Sequence, residues 1–513
     1  MRECAFQTWV FALISLLFLS YWLAWVVYAR TLHPLASIPG PFWASLSRTW
    51  YMRRAYDGNI EVVQRELHAR LGPIVRIAPD EVSISDPSAI PLVYRSQKPL
   101  QKTDYYLVYR NTDITKQPDM FTSIDESEHS RYRRIVNPAY LMSSVLKSEG
   151  AIDECTTLFL RRLGGFADSK QKMDFGEWLE MYSYDVIGQV FFGKMLGFLE
   201  NSCDYGNYIA SIDVIMPVLN LLGVTPKHYR PLVLISSALI PAVLKAIKAV
   251  GHMQKEAIGI ADNRKREMSE KESGGVDVLS HLFRIVTEKG PEINFGHKEA
   301  TNEAYTGIMA GADSTSIELR ACFYYLIKNP AVLMKVLAEI DSADASGNLS
   351  SPVKFSESKK LPYLSACIRE SIRMFPAVSM GMQRHPPIEG LEIAGKLIPN
   401  SCRVSMNPAV VQFDKQIFGN DASEFRPERW LESSEEILKA MDKTMLVFGA
   451  GTRTCTGQNI ALAQMHKLLP EVLRHFSLKM SDNHSWKTRN SFFIKQRGIV
   501  VEVKRRRMGD TAC

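Results

Sequence analysis

The stretch Phe448-Gly449-Ala450-Gly451-Thr452-Arg453-Thr454-Cys455-Thr456-Gly457 constrains this 513-residue chain more than any other. It sets a single cysteine between a glycine-rich turn and a helix. Gly449 and Gly451 let the backbone turn tightly and pass close to a flat ligand with no Cβ in the way. From Gln458 the run Gln-Asn-Ile-Ala-Leu-Ala-Gln-Met-His-Lys-Leu-Leu repeats apolar residues at helical spacing. Cys455 is therefore expected at a helix mouth, at the positive end of the dipole, among N–H groups with no helical partner. That setting lowers a thiol pKa and holds a thiolate.

Phe448, Gly451, Arg453, Cys455 and Gly457 fill every defined position of Phe-x-x-Gly-x-Arg-x-Cys-x-Gly. The stretch resembles the haem-ligand signature of the cytochrome P-450 family. There a cysteine thiolate is the axial ligand of haem iron and favours O–O cleavage. The resemblance implies haem b as cofactor and Cys455 as its metal ligand. Three further motifs follow the family's order.

The first is Ala310-Gly311-Ala312-Asp313-Ser314-Thr315, within a helical pattern from about His297 to Lys328. A glycine inside a helix costs about 1 kcal/mol relative to alanine. Followed by an acid and two hydroxyls, which compete for backbone carbonyls, it invites a local distortion. The segment resembles the family's oxygen-activation motif, which makes Asp313 and Ser314 the catalytic pair and Asp313 the acid that relays protons. Ser314 departs from the threonine most members carry. Its hydroxyl offers the same donor and acceptors but lacks the methyl that restricts the rotamer.

The second and third are Glu370-Ser-Ile-Arg373, an i,i+3 pair on one helix face, and Phe425-Arg-Pro-Glu-Arg429-Trp. By resemblance Glu370, Arg373 and Arg429 form a buried triad. Haem carries two propionates, so cations are required. The resemblance assigns Arg453, His129 and Arg133 of His129-Ser-Arg-Tyr-Arg133, and Arg384, and arginine's planar fork suits a carboxylate. Substrate-facing residues implied by the family are Met309 and Ala310 on the long helix and Phe492 and Phe493 near the C-terminus. The loop from Lys102 to Phe121 and the apolar segment after Arg373 join them.

Trp9 to Tyr28 are twenty residues without a charge, aromatic at both ends. As a helix they span roughly 30 Å, a bilayer's hydrocarbon thickness. The run is longer than a signal peptide's apolar region and no small-x-small cleavage site follows. The expectation is one uncleaved transmembrane anchor over 1–29, then a hinge over 30–41 stiffened by the prolines of His33-Pro-Leu-Ala-Ser-Ile-Pro-Gly-Pro41, then a haem-thiolate catalytic domain over 42–513. Basic residues after the helix (Arg30, His33, Arg48) place that domain on the cytoplasmic face, and the stretch from His33 to Pro41 resembles the hinge of microsomal members, which implies the endoplasmic reticulum. The sequons at Asn348 and Asn483 then never meet the lumenal machinery. The His-Pro-Leu wording resembles fungal members.

Eight scattered cysteines with no Cys-x-x-Cys pair exclude a disulfide framework. A net charge of +7, with no basic stripe interleaved with aromatics and no zinc spacing, gives nucleic-acid binding no support. Two polar gaps, 269–275 and 342–351, read as surface loops. Strand-like runs are few (Ile74-Val-Arg-Ile-Ala, Gly498-Ile-Val-Val-Glu-Val), so the fold is expected mainly α with a small β portion, near the N-terminal third and at the C-terminus.

No Gly-x-Gly-x-x-Gly element is present. Electrons must then come from a separate partner; the resemblance implies NADPH–cytochrome P-450 reductase, with cytochrome b5 as a further donor. The reading is a membrane-bound monooxygenase acting on a hydrophobic small molecule, such as a terpenoid or polyketide of secondary metabolism. The alternatives are the same chemistry ending in desaturation, ring expansion or rearrangement, and a non-catalytic haem-binding protein.

Overall fold

The computed structural model describes residues 2–270, 275–481 and 486–506. The principal helices are α1 (Arg2–Val27), α2 (Glu126–Val136), α3 (Phe175–Phe192), α4 (Tyr208–Val224), α5 (His297–Lys328), α6 (Pro330–Ala345), α7 (Pro362–Met374) and α8 (Gln458–His475). Ten strands, β1 (Ile74–Ala78), β2 (Glu81–Ile84), β3 (Met173–Asp174), β4 (Leu391–Ile393), β5 (Lys396–Ile398), β6 (Arg403–Ser405), β7 (Phe476–Met480), β8 (Lys487–Ser491), β9 (Phe493–Arg497) and β10 (Val500–Arg505), form small sheets. The mainly helical fold is as expected. The strands between 391 and 405 escape a sequence reading because each is three residues long. β6 still matters, since it runs parallel to β2 and closes the first sheet.

Every described residue of α1 from Phe6 to Leu23 is exposed, including Trp9 at 77% and Phe11 at 70%. The apolar window within the span 6–32 has a mean hydropathy of 2.3 and none of it is buried, so this helix has the length and composition to cross a membrane. The segment read as a hinge is not a free linker. Ala29, Leu35 and Ile38 are buried, and the buried guanidinium of Arg76 on β1 donates to the Ala29 carbonyl at 2.8 Å. The end of the apolar helix is thereby pinned against the first sheet.

The core runs along α5, which is buried over most of its length between α3, α7 and α8. Its closest seam is with α3. A Cβ on Gly307 would lie 2.3 Å from the Phe191 ring, and one on Gly311 would lie 2.9 Å from Ile187. Rising numbers on α5 meet falling numbers on α3, so the helices are antiparallel. The distortion expected at Gly311 does not interrupt the helix: α5 is continuous from His297 to Lys328. Gly311 is explained by the close approach of α3.

The gap at 342–351 is also shorter than expected. α6 continues to Ala345, because Asp344 near its end is tied by Arg474 of α8, whose Nε donates at 3.0 Å. The gap at 269–275 falls largely outside the described residues, as does the sequon at Asn483.

Candidate functional site

The signature folds as a turn feeding a helix. The Cys455 N–H donates to the Phe448 carbonyl at 2.7 Å, closing a loop around a 3-10 turn over Gly451–Arg453. Gly451 has φ +67°, and a Cβ there would fall 2.4 Å from the Tyr94 carbonyl oxygen, so no other residue fits. α8 starts at Gln458, three residues after the cysteine.

Cys455 is exposed by surface area yet lies deep among the chain's atoms, so its sulfur opens on an internal cleft. The N–H groups of Gly457 and Gln458 and the guanidinium of Arg133 favour the thiolate. Burial outweighs them and pushes the thiol above its ordinary value. The sequence expectation of a lowered pKa is thus corrected, because a helix mouth alone does not hold a thiolate this far from water. A bound metal cation supplies the opposite charge and reverses the balance. Among the described residues no three His, Cys, Asp or Glu side chains converge to hold a metal. A metal at this sulfur must bring its own remaining ligands, as a porphyrin does.

On α5 the accessible residues make a stripe. Ala310 is exposed and Thr306 and Ser314 are partly exposed, four residues apart on one face, in a helix otherwise largely buried. Ser314 Oγ donates to the Ala310 carbonyl at 2.7 Å, the back-bond expected of a hydroxyl in a helix. Asp313 and Thr315 are buried at 4% and 2% exposure and point elsewhere. Asp313 faces α3, so the expected acid–hydroxyl pair consists of neighbours on different helix faces. Met309 is partly buried against the main core.

A cluster of cations lies beside the signature. Arg453 is held by Glu126 at 2.8 Å and by the Ser123 carbonyl at 2.8 Å. Arg133 donates to the Thr454 carbonyl at 2.6 Å. Arg384 donates to the Tyr106 hydroxyl at 2.9 Å and is 4% exposed. His129 is buried with Nδ1 3.3 Å from Glu126. Burial first, then Arg453, pushes its imidazole down to about 4, Lys102 and Arg133 adding to this against Glu126. It is neutral at pH 7.

Lys102 completes the group and was read from sequence only as the start of a substrate loop. It is 5% exposed, donates to the Phe121 carbonyl at 2.6 Å, sits over the Tyr106 ring at 4.2 Å, and pairs by a backbone bridge with Arg384. Burial, then Arg384 and Arg453, depress its ammonium. Five basic side chains thus crowd together with Glu126 and Asp119 as the carboxylates acting on them. Two further carboxylates, such as the propionates of haem, would relieve the repulsion. The residues present fit that group.

Glu370 is fully buried between two arginines. Arg373 donates to it twice at 2.8 Å, and Arg429 Nε once at 2.9 Å. Trp430 Nε1 adds a bond at 2.9 Å. α7 and the segment before the signature thus bring Glu370, Arg373 and Arg429 together in one buried cluster.

Phe492 has φ +82° and meets Tyr109, Phe121 and Tyr105 with ring centroids at 5.5, 5.7 and 6.3 Å. The Tyr105 hydroxyl donates to Asn220 of α4 at 3.0 Å. Phe493 stacks beside Phe492 at 5.1 Å. The tyrosines and Asn220 were not singled out in the sequence, where nothing marks which aromatic residues share a wall.

A family model described as cytochrome P450 matches residues 37–503. Cytochrome P450 monooxygenase gsfF of Penicillium aethiopicum is 41% identical over 94% of this chain and 96% of that protein. Cytochrome P450 monooxygenase cicH of Emericella nidulans is 33% identical over 96% and 99%. A pisatin demethylase of Fusarium vanettenii is 30% identical over 94% and 91%.

Proposed function

The chain belongs to the cytochrome P450 family and is a monooxygenase, and on that premise we propose that it oxidises a hydrophobic small molecule of secondary metabolism, a terpenoid or polyketide, at the endoplasmic reticulum membrane. The carrying observation is Cys455, which opens on an internal cleft beside a cluster of cations. Haem b, when bound, supplies the redox chemistry that places one oxygen atom of dioxygen in the substrate.

The chain's own residues divide the remaining work. Cys455 holds the iron, with Phe448, Gly451 and Gly457 shaping the turn that presents it. Arg453, Arg133, Arg384, His129 and Lys102 hold the propionates. Asp313 holds a proton at its carboxyl, and the Ser314 hydroxyl, whose proton bonds back to the Ala310 carbonyl, presents its acceptor lone pairs to the cleft. Phe492, Phe493, Met309 and Ala310 face the substrate, with Tyr105, Tyr109 and Phe121 forming an aromatic wall that excludes water. The Glu370 triad keeps the signature's surroundings folded. α1 serves as the anchor over 1–29, the docked segment 30–41 follows, and the catalytic domain occupies 42–513. NADPH–cytochrome P-450 reductase delivers electrons, with cytochrome b5 as a second donor.

The test reconstitutes the full chain with the reductase in lipid vesicles and screens terpenoids and aromatic polyketides. NADPH-dependent formation of a product one oxygen atom heavier supports the reading. A product lacking two hydrogens points to desaturation. A product isomeric with its substrate points to rearrangement or ring expansion. No NADPH consumption with any substrate points to a non-catalytic haem protein.

A further inference from the structure

The α3–α5 seam changes character beyond Gly311. Past the glycines it carries charge. Asp313 and Arg320 are seven residues apart on α5, hence on one face, and both meet Glu180 of α3. Arg320 donates to Glu180 Oε2 and, at 2.9 Å, to the Gly176 carbonyl one turn away. Lys495 of β9 donates to Glu180 Oε1 at 2.6 Å and also to Asp213 of α4. Arg497, two residues further on β9, donates to Asp213 at 3.1 Å with its own side chain 75% exposed. Tyr184 of α3, whose buried hydroxyl has no hydrogen-bond partner, also faces Asp313.

Glu180 and Asp313 are 2% and 4% exposed and their carboxyl groups face each other within hydrogen-bond reach. Asp313 Oδ1 is buried without a donor bonded to it among the described residues. Two carboxylates cannot both stay ionised at that range in a site closed to water, so the pair holds one proton. Which oxygen carries it depends on the cations. Arg320 and Lys495 both bond to Glu180 and neither bonds to Asp313.

We propose that Glu180 is the positioning residue for Asp313: the two carboxyl groups share one proton, and Arg320 and Lys495 fix the negative charge on Glu180, so that Asp313 is the proton donor. The inference rests on the monooxygenase reading, which gives Asp313 its task. Burial, with Glu180 opposing ionisation against the pull of Lys495, pushes the Asp313 carboxyl well above its ordinary range. Burial is outweighed at Glu180, where Arg320 and Lys495 bring it down to about 2.

The test is infrared difference spectroscopy of the full-length ferric holoenzyme at pH 7, read in the carboxylic-acid C=O region. Wild type minus Asp313→Asn is expected to show one protonated-carboxyl band. Glu180→Gln removes the anion and leaves both cations, so Asp313 ionises and the same band is lost. Lys495→Met leaves Arg320 on Glu180, so the band is retained, shifted by the altered hydrogen bond. A carbon monoxide difference spectrum confirms that each variant is folded; if Glu180→Gln fails to fold, Glu180→Asp, whose shorter side chain draws the anion back from Asp313, is expected to shift the band, and an unchanged band there overturns the proposal.

Absence of any Asp313-dependent band, or a band unchanged in Glu180→Gln, overturns the proposal. Coupling of NADPH to product, measured separately in Asp313→Asn, reports on the underlying reading: unchanged coupling with the infrared pattern intact overturns the task assigned to Asp313 and leaves the shared proton standing.

Discussion

Replacing Glu370 should cost this protein more than replacing any surface charge, and the structure sets the scale. The carboxylate accepts five N–H groups: two from Arg373, one from Arg429, the Trp430 indole and the Arg426 backbone. Both arginines are buried, at 0% and 1% side-chain exposure. Removing one partner of a buried ion pair costs about 3–5 kcal/mol, because the other charge stays uncompensated. Here one anion serves two guanidinium groups, so Glu370→Ala should lose roughly 5 kcal/mol, the lower end of a domain's total stability.

The backbone carbonyls of Gln412 and Ala422 on Arg373, and of Asp421 on Arg429, relieve part of that cost. Glu370→Gln keeps volume and one acceptor and should lose about 2–4 kcal/mol. Lys439→Ala serves as the control, since its i,i+4 pair with Glu435 is 67% and 78% exposed and contributes well under 1 kcal/mol. Denaturant titration followed by circular dichroism gives each loss, and the Soret absorbance gives haem content. The reasoning is refuted if Glu370→Gln lies within about 1 kcal/mol of wild type and retains full haem.

Other outcomes follow from the same geometry. Burial pushes the Glu303 carboxyl of α5 up to about 7 despite its bond from Tyr140. The folded protein therefore holds a proton that the unfolded chain releases near 4.5, and stability falls as pH rises from 4.5 to 7, by about 3 kcal/mol. Glu303→Gln should flatten that slope in denaturant titrations across this window. Arg384→Ala and Lys102→Met should each speed haem loss to a scavenger protein roughly tenfold, the effect of one charge-assisted bond. Ser314→Ala should raise the peroxide released per NADPH consumed, and equal coupling in the two proteins would count against a role for that hydroxyl. Deleting residues 1–29 should weaken sedimentation with lipid vesicles; unchanged partitioning would move the membrane contact elsewhere.

Much of this was legible in the sequence, for reasons that differ by element. The bounds of α5 matched because a long apolar periodicity ends at Lys328, followed by Asn329 and Pro330. Two of the strands, Ile74–Ala78 and Val500–Arg505, lie in apolar runs bounded by breakers. The signature turn was legible because glycine, cysteine and arginine each answer a separate local demand. What failed involved burial. The direction of the Cys455 shift depends on how much protein surrounds the sulfur, which no ten-residue window contains. Lys102 is legible in the sequence only as the start of a substrate-facing loop, and its place among the cations depends on Tyr106, Phe121 and Arg384 closing over it. Glu180 and Lys495 are 315 residues apart, and nothing in either segment points to the other. Gly311 was read as the site of a local helix distortion, whereas Ile187 on α3 makes it a matter of space.

The central claim is that Cys455 holds haem iron as a thiolate. Reducing the full-length protein with dithionite, adding carbon monoxide and recording the difference spectrum tests it most directly. The account predicts a strongly red-shifted Soret band that is lost in Cys455→Ser. A band at the position typical of imidazole or neutral-thiol ligation, persisting in gently prepared membranes, would contradict it.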